Sequence, residues 1–157
     1  MQSENDFMQL AIRLATENVR NGSGGPFGAV VVRNGEVVAT GVNRVTSDND
    51  PTAHAEVNAI RAACKALNTF QLQGCVLYTS CEPCPMCMGA VYWGRLDAVY
   101  YGNTCHEAAE FGFDDHFIYE ELAVPREKRK LPMVRLLPEQ ALESFHAWQD
   151  HQSKITY

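Results

Sequence analysis

Apolar positions recur at helical spacing near the start of the chain. Ser3, followed three residues later by Asp6, is typical of a capped helix start, and the stripe behind it ends near Gly22. The stripe consists of Phe7, Leu10, Ala11, Leu14 and Val19. This spacing predicts an amphipathic first helix.

Two apolar runs, 29–32 and 36–42, follow a glycine-rich stretch and flank the dipeptide Asn34-Gly35. This arrangement is a strong β-hairpin signal. The glycine-rich stretch lacks the lysine of a phosphate-binding loop and leads into a strand, so we interpret it as a loop that permits close backbone approach.

Helix and strand signals alternate through the middle of the chain. Asp50 and Pro51 have the pattern of a helix N-cap and first helical residue. Prolines at 83 and 85 are tolerated only in the first turn of a helix. The predicted elements are a helix at 51–67, a strand at 75–79, a helix from Pro83 to Trp93 and a strand at 97–101.

After a mixed segment at 104–124, the chain has a charged link at 125–130, a predicted strand at 133–137 and a predicted helix at 138–150. Helices must cover both faces of one sheet, because strands and helices alternate. We therefore predict an α/β fold, a three-layer α/β/α domain with a central mixed sheet, and a single domain spanning 1–157.

The composition narrows the function classes. The formal net charge of -6 disfavours contact with phosphate backbones, so a nucleic-acid partner is not expected. No apolar run approaches the roughly 18 residues of a membrane span, and the polar start does not resemble a signal peptide. We expect a soluble, cytoplasmic protein with no membrane partner.

Six cysteines are distributed unevenly, and Cys81, Cys84 and Cys87 lie within seven positions. Such clustering favours metal binding or thiol chemistry over a disulfide framework. Cys84 and Cys87 are three residues apart at a predicted helix start, where the positive end of the helix dipole favours thiolates. His54, near another predicted helix start, is the best candidate for a third ligand.

Each of these residues has a simpler explanation when taken alone, since Cys-x-x-Cys can be a redox pair and His54 an ordinary core histidine. Together, His54-Ala55-Glu56 and Pro83-Cys84-x-x-Cys87 form the signature of zinc-dependent base deaminases. Cys81 is a doubtful fourth ligand because Pro83 and the strand-to-helix corner intervene. Three ligands leave a coordination position open for water, on which Glu56 can act as general acid and base.

The sequence resembles the bacterial guanine deaminases of the cytidine-deaminase-like superfamily over nearly its whole length. The residues that carry the resemblance are Gly25-Pro26-Phe27-Gly28-Ala29, Asn49-Asp50-Pro51-Thr52-Ala53-His54-Ala55-Glu56, Tyr78-Thr79-Ser80-Cys81-Glu82-Pro83-Cys84-Pro85-Met86-Cys87, Gly112-Phe113-Asp114-Asp115 and Tyr157. It implies hydrolysis of guanine, a small-molecule purine base, to xanthine and ammonia in purine catabolism or salvage. It also implies a homodimer with a swapped C-terminal segment, about 126–157.

The resemblance implies a role for each matching residue. One Zn²⁺ per chain would be bound by His54, Cys84 and Cys87, and Glu56 would shuttle protons. Phe27 would pack on the base, and Asn43 would hydrogen-bond it. Asp115 would contact guanine and, as a catalytic residue, assist ammonia release. Tyr157 from the partner chain would be the fourth substrate-binding residue. No role is implied for Thr104-Cys105-His106.

Simpler interpretations of these residues stay open. Phe27 can be a core anchor, Asn43 a turn residue, and Asp114 and Asp115 a helix cap. A tail ending at Tyr157 can fray.

Other functions stay open as well. They are deamination of cytosine, guanosine or tRNA adenosine, and a structural zinc or redox module. The basic residues Arg126, Lys128, Arg129 and Lys130 are interrupted by Glu127, which is typical of a solvated loop.

Overall fold

The computed structural model describes residues 2–157. They form two compact units, of which the first ends at His116 and the second is Phe117–Tyr157. The elements are α1 (Glu4–Arg20), β1 (Gly28–Arg33), β2 (Glu36–Val42), α2 (Val45–Asp48), α3 (Ala55–Leu67), β3 (Cys75–Cys81), α4 (Pro85–Gly94), β4 (Ala98–Asn103), α5 (Cys105–Glu110), α6 (His116–Ala123), a 3-10 turn (Arg126–Lys128) and α7 (Pro138–Asp150).

One four-stranded sheet of order β2-β1-β3-β4 organises the first unit. Strand β1 runs antiparallel to both β2 and β3, whereas β3 and β4 are parallel. The mixed sheet is as predicted. Its one parallel neighbouring pair is joined through a helix, which is the connection that parallel strands require.

Alternating side chains of β1 pack against helices on opposite faces of the sheet. Val30 and Val32 belong to the core beneath α1, together with Phe7 and Ala11. Ala29 and Val31 belong to the core beneath α3 and α4. Helices therefore cover both faces of the sheet, which confirms the three-layer α/β/α architecture.

The first helix and the hairpin form where the sequence predicts them. The Ser3 hydroxyl accepts a hydrogen bond from the Asp6 N–H, and the Asp6 carboxylate accepts one from the Ser3 N–H, a reciprocal cap. Asn34 and Gly35 both have positive φ between the paired strands β1 and β2. This conformation is the one that a tight hairpin turn requires.

The predicted start of the second long helix is wrong by four residues. The Asp50 carboxylate accepts hydrogen bonds from the N–H and the hydroxyl of Thr52, at 2.8 and 2.7 Å, and so closes a local turn instead of capping a helix. Helix α3 begins at Ala55, with His54 as its N-cap. His54 consequently lies just before the helix rather than in its first turn.

The strand predicted at 133–137 is also wrong. Residues 132–137 belong to no strand within the described part of the chain. A strand needs a neighbour for its backbone hydrogen bonds, so apolar alternation alone does not produce one.

The second unit exposes an unusual number of large apolar side chains for so short a segment. Helix α7 spans the predicted residues, but many apolar side chains of the unit remain accessible. They include Leu131, Met133, Val134, Leu136, Leu137, Leu142, Phe145, Trp148, Ile155 and Tyr157. Large apolar side chains exposed together in this way are typical of interaction surfaces.

No helix within residues 2–157 combines the length and the apolar character that crossing a bilayer requires.

Two glycines let helices lie directly on the sheet. A Cβ atom at Gly28 would lie 2.4 Å from the Ala11 carbonyl oxygen and 2.7 Å from the Ala15 nitrogen, on the α1 face. On the opposite face, a Cβ at Gly41 would lie 2.2 Å from the Ala55 carbonyl oxygen. In both places the added atom would meet helix backbone, which can yield only by moving the helix.

Gly28→Ala is expected to lower the free energy of unfolding by about 1–3 kcal/mol, because the new methyl group pushes α1 off the sheet. Gly89→Ala is the control. A Cβ at Gly89 meets nothing within 4 Å, and alanine should raise helix stability by about 0.5–1 kcal/mol. Urea unfolding of both variants measures the difference, and equal stabilities would contradict the close-approach argument.

Candidate active site

Helices α3 and α4 begin close to each other, and the residues that cap them carry the predicted metal ligands. His54 and Cys84 are the N-caps of α3 and α4, and Cys87 lies in the first turn of α4. The His54 side chain makes no capping hydrogen bond to its own helix. The imidazole is therefore available to the two cysteine thiols.

The three candidate ligand atoms have the spacing of a zinc site. The Nδ1 atom of His54 lies 3.6 Å from the Cys84 sulfur and 3.5 Å from the Cys87 sulfur. Zinc bonds of about 2.3 Å to sulfur and about 2.0–2.1 Å to nitrogen, in tetrahedral geometry, imply a separation of about 3.6 Å. The residues present therefore fit Zn²⁺.

The two thiols have very different acidities, because they share one proton. A hydrogen bond from Cys87 and one with His54 together lower the pKa of Cys84 to about 4. The hydrogen bond between the two thiols, together with burial, raises the pKa of Cys87 strongly. The hydrogen bond to Cys84 also raises the pKa of His54. The metal-ligand group of His54, Cys84 and Cys87 thus concentrates negative charge on sulfur, which suits a divalent cation.

Glu56 is 5% exposed and lies beside the metal-ligand group. Its Oε2 atom accepts a hydrogen bond from the Cys87 thiol at 3.5 Å, and its Oε1 atom accepts one from the Thr79 hydroxyl at 3.4 Å. Burial raises the pKa of this carboxyl, and the negative charge of Cys84 raises it further. A buried carboxyl whose pKa is raised in this way is suited to accepting and donating protons.

Cys81 lies outside the metal-ligand group in the described residues. Its thiol donates a hydrogen bond to the Thr104 carbonyl at 3.9 Å, and burial raises its pKa to about 11. Cys81 is therefore a protonated, buried thiol. This leaves three candidate protein ligands and an open position.

Asn43 follows β2 directly and is held by backbone groups. Its Oδ1 atom accepts hydrogen bonds from the N–H groups of Gly25 and Val45, both at 3.3 Å. The backbone N–H of Asn43 donates to the Phe27 carbonyl at 3.1 Å. Because Oδ1 is already occupied, the group that Asn43 can offer to a ligand is its amide N–H.

Phe27 forms part of an aromatic corner beside an open pocket. Its ring meets that of Phe113 edge to face, with centroids 4.9 Å apart. Both rings line a pocket of about 470 Å³ that also includes Cys81. Phe27 additionally packs against the core, so the core-anchor interpretation and the ligand-contact interpretation are compatible.

The structure distinguishes the two neighbouring aspartates. The Asp114 carboxylate accepts a hydrogen bond from the His116 N–H at 2.9 Å, so Asp114 closes a local turn at the start of α6. Asp115 is partly buried, and burial and the negative charge of Cys84 raise its pKa. Asp115 is thus the aspartate whose pKa is affected by the charge of the metal-ligand group.

Two polar residues near the predicted site were not identified from the sequence. Thr79 contacts Glu56, and Asn18 of α1 donates to the Asn43 carbonyl. The signal for Asn18 was its position on the apolar face of α1. Tyr157, in contrast, belongs to the second unit and is 75% exposed there, so its predicted role over a partner's base stays a prediction.

Comparisons with known proteins agree with this geometry. Residues 1–103 match the family described as the cytidine and deoxycytidylate deaminase zinc-binding region. Guanine deaminase from Bacillus subtilis is 53% identical over 151 residues, which are 96% of this chain and 97% of that protein. A tRNA-specific adenosine deaminase from the same organism is 42% identical over 65% of this chain and 63% of its own length.

Solved structures of guanine deaminases are also similar to this chain. The X-ray structure of the Bacillus subtilis guanine deaminase superposes with a TM-score of 0.96 at 51% identity, over 99% of both chains. A guanine deaminase from Nitrosomonas europaea gives a TM-score of 0.69 at 32% identity, over 73% of this chain and 66% of that one. The chain belongs to the cytidine and deoxycytidylate deaminase family of zinc-binding proteins.

Proposed function

We propose that this protein is a zinc-dependent aminohydrolase that converts guanine and water to xanthine and ammonia. The observation that carries the proposal is the similarity to the Bacillus subtilis guanine deaminase, which extends over 96% of this chain. The tRNA-specific adenosine deaminases are less similar, at 42% identity over 65% of the chain for the one from that organism and 32% over 86% for one from Buchnera aphidicola. The net charge of -6 also disfavours a polyanionic RNA substrate.

The metal-ligand group and Glu56 divide the chemistry between them. His54, Cys84 and Cys87 would hold Zn²⁺, which would supply Lewis acidity for the activation of water. Glu56 accepts a proton from the attacking water and delivers it to the purine ring. A second proton transfer lets the exocyclic amine leave as ammonia.

Phe27, Asn43 and Asp115 supply contacts for a purine. The Phe27 ring packs on the face of the base, and the amide N–H of Asn43 donates to an acceptor atom of the base. Asp115 accepts a hydrogen bond from a ring N–H and assists release of ammonia. A site that pairs a ring N–H in this way penalises substrates that lack one.

We further propose that the protein is a cytoplasmic homodimer that exchanges its C-terminal segments, about 126–157, around a single deaminase domain. Residues 133–137 have the apolar pattern of a strand, but Val134 is 78% exposed in the isolated chain. In the sheet, β4 is an edge strand. The charged link at 125–130 is the natural hinge, because an exchanged element needs only a connector that can point outward.

Ammonia release from a panel of substrates tests the function. Guanine is expected to react faster than cytosine, guanosine and a tRNA anticodon arm, because the proposed contacts are those of a free purine base and the net charge of -6 disfavours RNA. A faster reaction with cytosine or with the tRNA arm would overturn the assignment of guanine as substrate.

Two substitutions separate metal binding from proton transfer, and each serves as the control for the other. Cys84→Ala should release zinc and lower stability, because the metal ties the starts of α3 and α4 together. Glu56→Gln should keep zinc but reduce turnover at least about 10²-fold, the low end for a lost general acid and base. Elemental analysis and turnover are measured on both proteins. Full zinc occupancy in the first variant, or near-normal turnover in the second, contradicts the corresponding role.

The exchange is tested with a chain that lacks residues 155–157. The shortened chain should keep zinc and its fold but turn over guanine slowly, because Tyr157 no longer closes the partner's site against water. Mixing it with a full-length Glu56→Gln chain should restore up to about one active site per dimer, since the intact Glu56 receives the partner's tail.

A chain carrying both changes is the control, because mixing it with the shortened chain supplies no tail. Full activity of the shortened homodimer, or no recovery in demonstrated mixed dimers, would exclude the exchange of Tyr157.

A further inference from the structure

A buried asparagine lies on the core face of α1. Phe7, Ala11, Ala15 and Asn18 are the buried residues of this helix. The first three pack as apolar residues, whereas Asn18 carries an amide and is only 5% exposed. A polar side chain at a core position costs stability unless its hydrogen bonds are made, so its partners indicate what it is for.

The amide of Asn18 joins two segments that are distant in sequence. Its Nδ2 atom donates to the Gly25 carbonyl at 2.9 Å and to the Asn43 carbonyl at 2.8 Å. Gly25 belongs to the glycine-rich loop, and Asn43 lies at the end of β2. Both N–H groups of one amide therefore hold the two backbone segments at a fixed separation.

The same two segments hold the side chain of Asn43. The Gly25 N–H donates a hydrogen bond to the Asn43 Oδ1 atom. Gly25 is therefore held by Asn18 through its carbonyl, and it holds the Asn43 side chain through its N–H. The packing leaves little freedom, because a Cβ at Gly24 would lie 2.1 Å from the Asn43 carbonyl oxygen. A displacement of the Asn18 amide would therefore displace the side chain of Asn43 as well.

We infer that Asn18 is a positioning residue for substrate binding: it holds Gly25 and Asn43 so that the Asn43 amide N–H points to the base before the base arrives. This inference rests on the proposed role of Asn43 in binding guanine. Asn18 contacts no substrate and takes no part in proton transfer. Its contribution is preorganisation, which reduces the ordering that binding would otherwise require.

The experiment measures guanine binding without turnover. The parent protein is the zinc-loaded Glu56→Gln variant, and the dissociation constant of radiolabelled guanine is obtained by equilibrium dialysis. Asn18→Ala removes both hydrogen bonds, and Asn18→Asp keeps the shape but can donate at most one. Asn5→Ala, an exposed position on the same helix, is the matched control.

Asn18→Ala is expected to weaken guanine binding about tenfold or more, since a binding group that is no longer preorganised must be ordered at the expense of binding free energy. Asn18→Asp should weaken it at least as much, because an ionised carboxylate donates no hydrogen bond and would face the two carbonyl oxygens. Asn5→Ala should leave it unchanged. In an Asn43→Ala background, Asn18→Ala should add less than about twofold, because a residue that acts through Asn43 has nothing left to position.

Each other outcome has a separate meaning. A parent protein that does not bind guanine would refute the proposed function. An Asn43→Ala substitution without effect on binding would refute the role of Asn43. The inference about Asn18 is overturned if both Asn18 variants bind within about twofold of the parent, if the loss is equal in the Asn43→Ala background, or if both variants fail to fold.

Discussion

The candidate ligands lie within bonding distance of one ion because α3 and α4 begin side by side. The N-cap residue of each helix supplies one donor, and the first turn of α4 supplies the third. Helix starts also bring unpaired N–H groups and the positive ends of two dipoles, which favour thiolates. Glu56 then reaches the same point from the first turn of α3. The spacing of these reactive groups is thus set by how closely α3 packs on the sheet, and Gly41 makes that approach possible.

Local signals were sufficient for most of the fold. The capped start of α1, the Asn34-Gly35 turn and Pro85 at the start of α4 act through contacts between residues close in sequence, and the structure follows them. Helix α4 begins two residues after the predicted Pro83. The start of α3 was predicted wrongly from Asp50, because an aspartate before proline can close a turn as readily as it can cap a helix. The ligand group was predictable for another reason, since a fixed spacing of histidine and cysteine reflects the coordination chemistry of the metal.

Long-range contacts could not be predicted. Asn18 and Asn43 are 25 positions apart, and Thr79 and Glu56 are 23 apart, so their pairing depends on how the sheet orders its strands. The amphipathic pattern of α1 even argues against a polar residue at position 18. The strand predicted at 133–137 failed for a related reason. The alternation identifies a segment able to form a strand, but whether a neighbouring strand exists is a property of the assembly.

An exchanged segment would also determine how the protein aggregates. In the proposed dimer, two copies donate residues 133–137 to each other, and the assembly closes after two chains. If the exchange is not reciprocal, each copy keeps one edge strand to offer and one apolar segment to donate, and chains add head to tail without limit. High protein concentration during refolding would then favour open polymers over closed dimers. The same apolar residues that complete the working enzyme would be the nucleus of its aggregation.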